Sequence, residues 1–281
     1  MKYILLKAFL LLIALSFSAS TANSQKMKPE DVVAKHLDSI AAADTRATVK
    51  SLILVGDATA KFISTKDQIV AGRVVLASEG MKNFLGMNMN SSAYPGERFS
   101  FDGKVTHVAI AQRGQRSVLG NFVESNKKIL QESVFGGALS SSWSMLNMDT
   151  KKAKLSFEGT KKIEGKEAYV LGYSMKGGDL DITMYFDKDT FRHVRTEYKR
   201  TSSAGIGARP EDSTRFSASV LKVTEDFTDF KAENGLTLPR GYRLFYSVTG
   251  QNGTTEIEWV FKLTEFALNQ KLESNTFDAI P

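Results

Sequence analysis

The chain has 281 residues, 42% hydrophobic and 24% charged, with 37 Lys and Arg against 31 Asp and Glu. That is the composition of a folded globular protein, and its mild, dispersed basic excess gives no reason to expect a nucleic-acid partner. Cysteine is absent and histidine occurs three times, which excludes a disulfide scaffold, a thiol nucleophile and a cysteine-ligated metal.

The first residues read as a secretory signal. Lys2 and Lys7 form a basic region, the stretch from Ile4 to Leu15 is largely apolar, and small residues follow from Ser16 to Ser24. This is the three-part layout of a cleaved leader, and its apolar run is shorter than the about 20 residues of a membrane span. The expected organisation is a signal peptide over 1–24 and a single domain over 25–281. Removing 1–24 takes away two lysines and no acid, so 35 basic residues face 31 acidic ones and the charge becomes +4. Without a cysteine for lipid attachment, the expected product is soluble, periplasmic and not a lipoprotein.

Pro29-Glu30-Asp31 opens a helix, with proline in the first turn and two acids where the helix dipole favours them. Val32, Val33, His36, Leu37 and Ile40 repeat on one helical face, so the expected helix runs over 29–43. His36 falls on or beside that face, where it is expected to pack against the core. Strands are expected over 49–62, 69–78, 81–89 and 97–112, punctuated by Gly80, Pro95-Gly96, Asp102-Gly103 and Gly114. Between Gly120 and Met148 the spacing turns helical, and Gly136-Gly137 is expected to end that helix. Strands resume over 154–163, 166–175, 180–187, 191–201, 214–231, 236–249 and 254–266. Asn234-Gly235 and Asn252-Gly253 are hairpin turns, because both residue types tolerate positive φ. The lysines Lys151, Lys152, Lys154, Lys161 and Lys162 are expected on the wet face of one hairpin. With no repeat and no linker, the expected fold is mainly β (α+β): one strongly curved antiparallel sheet with an N-terminal helix and helical lid segments.

The stretch "YFDKDTFRHV", from Tyr185 to Val194, packs two acids, two bases and a histidine into ten residues. It reads as a hairpin tip, with Asp187-Lys188-Asp189-Thr190 as the turn and His193, Arg195 and Glu197 on one face of the returning strand. A metal site from Asp187, Asp189 and His193 would need more ligands than the segment offers. No nucleophile elbow, zinc-binding His-Glu-x-x-His pattern or phosphate loop is present. Glu225 with Asp226, or Glu256 with Glu258, could in principle do acid and base work, but no catalytic residue, metal or cofactor is assigned.

The segment "KKIEGKEAYVLGYSMKGGDLDITMYFDKDTFRHVRTEYK" from Lys161 to Lys199, the segment "FTDFKAENGLTLPRGYRLF" from Phe227 to Phe245 and the ending "LESNTFDAIP" resemble the LolA, LolB and LppX group of periplasmic lipoprotein and lipid carriers. The likeness extends over most of the domain, most clearly from residue 154 onward, and is closest to uncharacterised LolA-like exported bacterial proteins. It implies a half-open β-barrel covered by helices and a non-enzymatic role in lipid binding, transport or lipoprotein sorting. The implied partners are a lipid or acylated protein and a membrane-anchored delivery or acceptor protein, with the carrier itself a monomer. No residue role is carried over from the group.

Candidate cavity and lid residues come from two methionine-rich apolar groups, since methionine adapts to irregular ligands. One is Phe84, Met87 and Met89; the other is Phe122, Ile129, Leu130, Trp143, Met145 and Met148. A carrier needs these to line a space for an acyl chain. The alternative is an exported structural or protein-interaction module whose barrel is filled by its own side chains, and cavity volume separates the two.

Overall fold

The computed structural model describes residues 27–64, 68–110, 116–150, 153–202, 219–251, 253–273 and 275–278. The signal-peptide span, Lys151 and Lys152, Gly114, Asn252 and the stretch from 203 to 218 lie outside the described residues.

Helix α1 runs from Pro29 to Ile40, shorter than the 29–43 expected, and buries Val32, Val33, His36 and Ile40. It stops because Ala41 is extended, and the chain then starts a second short helix, α2, from Ala43 to Thr48. The Arg46 guanidinium donates to the carbonyls of Leu37 and Ala41, which closes the turn between them. Carbonyls at a helix end need such partners.

The strands are β1 (Ser51–Phe62), β2 (Gln68–Glu79), β3 (Lys82–Met89), β4 (Glu97–Phe101), β5 (Thr106–Ile110), β6 (Lys154–Ile163), β7 (Lys166–Ser174), β8 (Asp181–Asp187), β9 (His193–Ser202), β10 (Ser219–Glu233), β11 (Leu236–Gly250) and β12 (Gly253–Leu268). The stretch expected as one strand over 97–112 is a hairpin, turned where Asp102 Oδ1 accepts from the Lys104 and Val105 amides. The turn at Asn234-Gly235 has φ values of 50° and 82°, as a two-residue hairpin requires.

All twelve strands form one antiparallel sheet in the order β5-β4-β3-β2-β1-β12-β11-β10-β9-β8-β7-β6. Two meanders are joined where β1 pairs with β12, and the sheet is open, with β5 and β6 as its edges. Register shifts at Val55/Gly56, Phe157/Gly159 and Tyr185/Phe186 are bulges of the kind that bend strands and increase twist. The curved, half-open sheet with helices on one face is the architecture expected from the sequence.

This topology places the functional region. The chain leaves β5 at one edge and must reach β6 at the other, so the residues between them cross the sheet. They do so over the inner face, as helix α3 (Val118–Ser125), the single turn α4 (Lys128–Gln131) and two 3₁₀ turns, Gly137–Leu139 and Ser144–Thr150. One apolar core joins the inner face, α1 and this crossing segment. A second, small cluster of Ala168, Val170 and Tyr185 sits apart from it.

Candidate functional site

The candidate site is the seam between the crossing segment and the inner face of the sheet. Met87, Met89, Phe122, Ile129, Leu130, Trp143 and Met145 all lie in the shared core, each buried, while Met148 is partly buried against it. Phe84 is placed differently, partly buried at the margin of the small space that Leu85, Leu130 and Phe135 line. The inner-facing positions of β3 are Asn83, Leu85, Met87 and Met89, which are all buried, so the strand's period of two puts Phe84 on the opposite face. Its ring lies over Gly86, where a Cβ would meet it at 2.6 Å. The spaces beneath the segment's centre are small: about 50 Å³ beside Ile40, Leu52, Trp143 and Leu238, and about 20 Å³ beside Leu76, Leu85, Leu130 and Phe135. A larger one, about 320 Å³, opens at its margin between Glu124, Lys128 and Gln131 and the stretch from Met175 to Leu180. The crossing segment therefore fills the centre of the inner face.

Polar bonds fasten the segment at separate points. Ser117 caps α3 by accepting from the Gly120 amide and donates its own hydroxyl to Glu97 at 2.5 Å. Asn83 donates to the Leu130 carbonyl and the Ser133 hydroxyl. Tyr173 donates to Glu132 at 2.9 Å, and Lys128 to the carbonyls of Lys176 and Gly177. The amide and hydroxyl of Ser141 both donate to the Ser78 hydroxyl, at 2.8 and 2.9 Å.

The centre of the seam holds Glu225 of β10, with no measurable exposure. It accepts from the Tyr198 hydroxyl at 2.5 Å, the Tyr242 hydroxyl at 2.6 Å and the Gly136 amide at 2.7 Å. Burial pushes its carboxyl up from 4.5 to about 7, although those three donors and their opposing pull limit the rise. The groups facing it are Tyr198 on β9 and Tyr242 on β11, with Tyr173 of β7 beyond Tyr198; Asp226 is its own strand neighbour. Burial, reinforced by the Glu225 charge, raises both bonded tyrosines well above their usual range. Glu97 repeats the arrangement under α3: buried, raised by desolvation, and accepting from Tyr94 at 2.7 Å and from Ser117. Tyr94 in turn accepts from the Trp259 indole.

Beside Glu225 is an aromatic group that joins three elements. His36 Nδ1 lies 3.0 Å from the Phe191 carbonyl, and the Trp143 indole donates to His36 Nε2 at 3.1 Å. That pairing requires neutral His36 with its proton on Nδ1, and burial lowers its pKa to about 4. Trp143 stacks on His193 at 5.0 Å between centroids. His193 is 1% exposed, and burial with the neighbouring His36 ring drives its pKa well below the usual value.

His193 is therefore not on the face with Arg195 and Glu197, as strict alternation over 191–201 predicts. The register shift opposite Tyr185/Phe186 turns it inward, where it shares the core with Tyr198 while Arg195 stays partly exposed. The turn before it is a hairpin tip, held by Asp187 Oδ1 accepting from the Asp189 amide, the Thr190 amide and the Thr190 hydroxyl.

The carboxylate pair Glu225 and Asp226 is also divided between faces. Asp226 points outward and binds Arg195 and Arg243, and Glu258 binds Arg243 from β12. Sequence reading missed Glu225 as an inner residue. Its signal was present: Val223, Glu225 and Phe227 share one strand face, as do Glu97, Phe99 and Phe101, so period two puts each acid among apolar neighbours.

No protein-family model and no curated protein matches the chain. Among solved structures it is similar to a LolA superfamily protein from Nitrosomonas europaea, at 13% identity and a TM-score of 0.47 over 89% of this chain and 97% of that one. A DUF1329 family protein from Desulfovibrio piger matches at 11% identity and TM-score 0.41, over 89% and 98%. The lipoprotein LppX from Mycobacterium tuberculosis matches at 13% identity and TM-score 0.23, over 59% and 86%. These are likenesses of chain path. Among the described residues no helix is long and apolar enough to cross a membrane.

Proposed function

We propose that this protein is a periplasmic, non-enzymatic carrier of a lipid, a lipoprotein acyl chain or another apolar ligand, in the closed form in which its own crossing segment occupies the ligand's place. The observation that carries the reading is the seam. The segment shares the apolar core of the sheet, and besides those contacts it is fastened by buried hydroxyls, amides and two carboxylates that an apolar core does not require. Each such bond is worth only about 1 kcal/mol net, because water or a ligand can replace either partner.

Magnitudes bound the exchange. The segment buries ten apolar side chains among the described residues, Phe122, Ile129, Leu130 and Trp143 included; at about 1.5 to 3 kcal/mol each they contribute roughly 15 to 30 kcal/mol in all. An acyl chain of about 14 methylenes, at about 0.8 kcal/mol each, offers about 11 kcal/mol. One acyl chain thus competes with part of the segment, and Gly136-Gly137 is the point at which that part can lift.

The small volumes along the seam favour a second reading, an interaction module whose barrel stays filled. Titration with the neutral apolar dye Nile red, beside thermal unfolding, separates the two. The carrier binds dye, and Ile129→Ala and Trp143→Ala tighten binding while costing less stability than a solid core would lose. The module binds none, and both substitutions cost about 2 to 5 kcal/mol.

A further inference from the structure

The socket beneath Gly136-Gly137 has a composition that packing alone does not require. Its walls are the rings of Tyr198, Tyr242 and Phe227, and its polar atoms are the Glu225 carboxylate and His193 Nδ1. The crossing segment meets it with bare backbone. Gly136 gives its N–H to Glu225, and a Cβ on Gly137 would come within 2.9 Å of both His193 Nδ1 and the Phe227 ring. Both glycines have positive φ, 88° and 53°, so backbone conformation opposes a side chain at either, and at Gly137 space opposes it as well.

This glycine foot satisfies only part of the socket. His193 Nδ1 has no hydrogen-bond partner among the described residues, although its ring is buried. Buried polar atoms are nearly always paired, and an exception calls for a cause. The Thr196 hydroxyl lies 2.9 Å from Nε2; when it donates there, Nδ1 carries the proton and lacks an acceptor. No lysine or arginine bonds Glu225 among the described residues, in contrast to Asp226 on the outer face. Once the foot lifts, Glu225 loses one donor and nothing in the fold replaces it.

We propose that this socket is the head-group site of the carried ligand, taking an N–H donor, as an amine or an amide, in place of the glycine foot. The inference rests on the carrier reading and adds its selectivity. The foot is a resident stand-in: it keeps Glu225 satisfied in the closed protein, and a donor-headed amphiphile exchanges with it N–H for N–H. An amide supplies a donor for Glu225 and a carbonyl for His193 Nδ1. A carboxylate or sulfate head sets a second anion against Glu225 and is rejected, since a site built for a donor discriminates strongly against a head that lacks one.

The test is displacement of bound Nile red by dodecylamine, dodecanamide, dodecanoate and dodecyl sulfate, all below their micelle concentrations, at about pH 8. The wild type is expected to bind the amine and the amide at least about tenfold more tightly than the two anions. Glu225→Gln, with its fold checked by circular dichroism, should bring the amine and the anions within about threefold of one another. Asp189→Asn, at the exposed β8–β9 tip away from the socket, should keep the preference. If Glu225→Gln fails to fold, Glu225→Asp, which withdraws the carboxylate by one methylene, must show a reduced preference. Equal wild-type affinities for all four probes would overturn the head-group site and leave the carrier standing. Absence of binding by the dye and every probe would overturn the carrier, and this inference with it.

Discussion

Asp187 and Glu225 each accept three hydrogen bonds from uncharged donors, yet their acidities move apart. Asp187, at the β8–β9 tip, is partly buried; desolvation pulls it up, but the Thr190 and Asp189 donors, with the Lys166 charge, outweigh that and hold it below the ordinary value. Glu225, under the crossing segment, has two tyrosine hydroxyls and an amide, and burial still drives it to about 7. The donor sets are equivalent in number and charge, so the difference lies in burial, with the Lys166 charge helping to lower Asp187 and the Asp226 charge helping to raise Glu225. Water completes the solvation of the turn carboxylate, and nothing completes that of the socket. A hairpin tip is a relaxed use of an acid. The seam stores an unfavourable charge beneath the crossing segment.

The largest effect that tests this contrast is pH-dependent. The folded pKa of Glu225 lies above its unfolded value, so the stability it contributes is complete below about pH 4.5 and is lost as pH rises through about 7. At about pH 8 the loss is about 3 kcal/mol, an order-of-magnitude figure. Glu97, also raised by burial, acts in the same direction. The His36 and His193 contributions are common to wild type and Glu225→Gln, so urea unfolding of both at about pH 5.5 and 8 should show the stability difference between them moving against the wild type at the higher pH. A difference that is the same at both pH values would remove the distinction between socket and turn.

Acid sharpens the comparison from the other side. His36 is held neutral, with a folded pKa of about 4 against 6.5. Its contribution is therefore complete above about pH 6.5 and lost as pH falls through about 4; at about pH 5 the loss is about 2 kcal/mol. Protonation also removes the acceptor of the Trp143 indole, so the Trp143 N–H resonance should shift with the same midpoint. A Trp143 resonance unchanged down to about pH 3 would show that this bond does not join α1 to the crossing segment.

The smallest effects belong to the turn. Asp187→Asn retains shape but weakens three accepted bonds, and should cost about 1 kcal/mol. Asp189→Asn should stay within about 0.5 kcal/mol, as surface changes do. Chemical denaturation of both variants checks this, and a larger loss at Asp189 would mean that the tip is more than a turn.

The fold was legible where local chemistry decides it. Alternation marked nearly every described strand within a few residues, and Asn234-Gly235 marked its hairpin because few other residue pairs adopt those φ values. Pro29-Glu30-Asp31 marked the start of α1. Its end was misplaced because the Arg46 contacts that close the turn to α2 are tertiary. The site was half legible. Helical spacing and the glycine pair located the crossing segment, and seven of the nine candidate side chains lie deep in its core. Phe84 was assigned by composition when its strand parity argued otherwise. His193 was assigned by parity, which a bulge reverses, and bulges leave no mark in a single sequence. Glu225 was considered as half of a carboxylate pair, whereas alternation places consecutive strand residues on opposite faces.

The central claim is that the crossing segment must leave the inner face for ligand to enter, and a reversible tether tests it most directly. The chain has no cysteine, so Ser78→Cys with Ser141→Cys, at hydroxyls 2.9 Å apart, introduces one disulfide between the segment and β2. Dye and dodecylamine binding should be lost in the oxidised protein and restored by a reductant, with the wild type indifferent to both treatments. Equal binding by the oxidised and reduced forms would contradict the account, because ligand would then be entering without the segment moving.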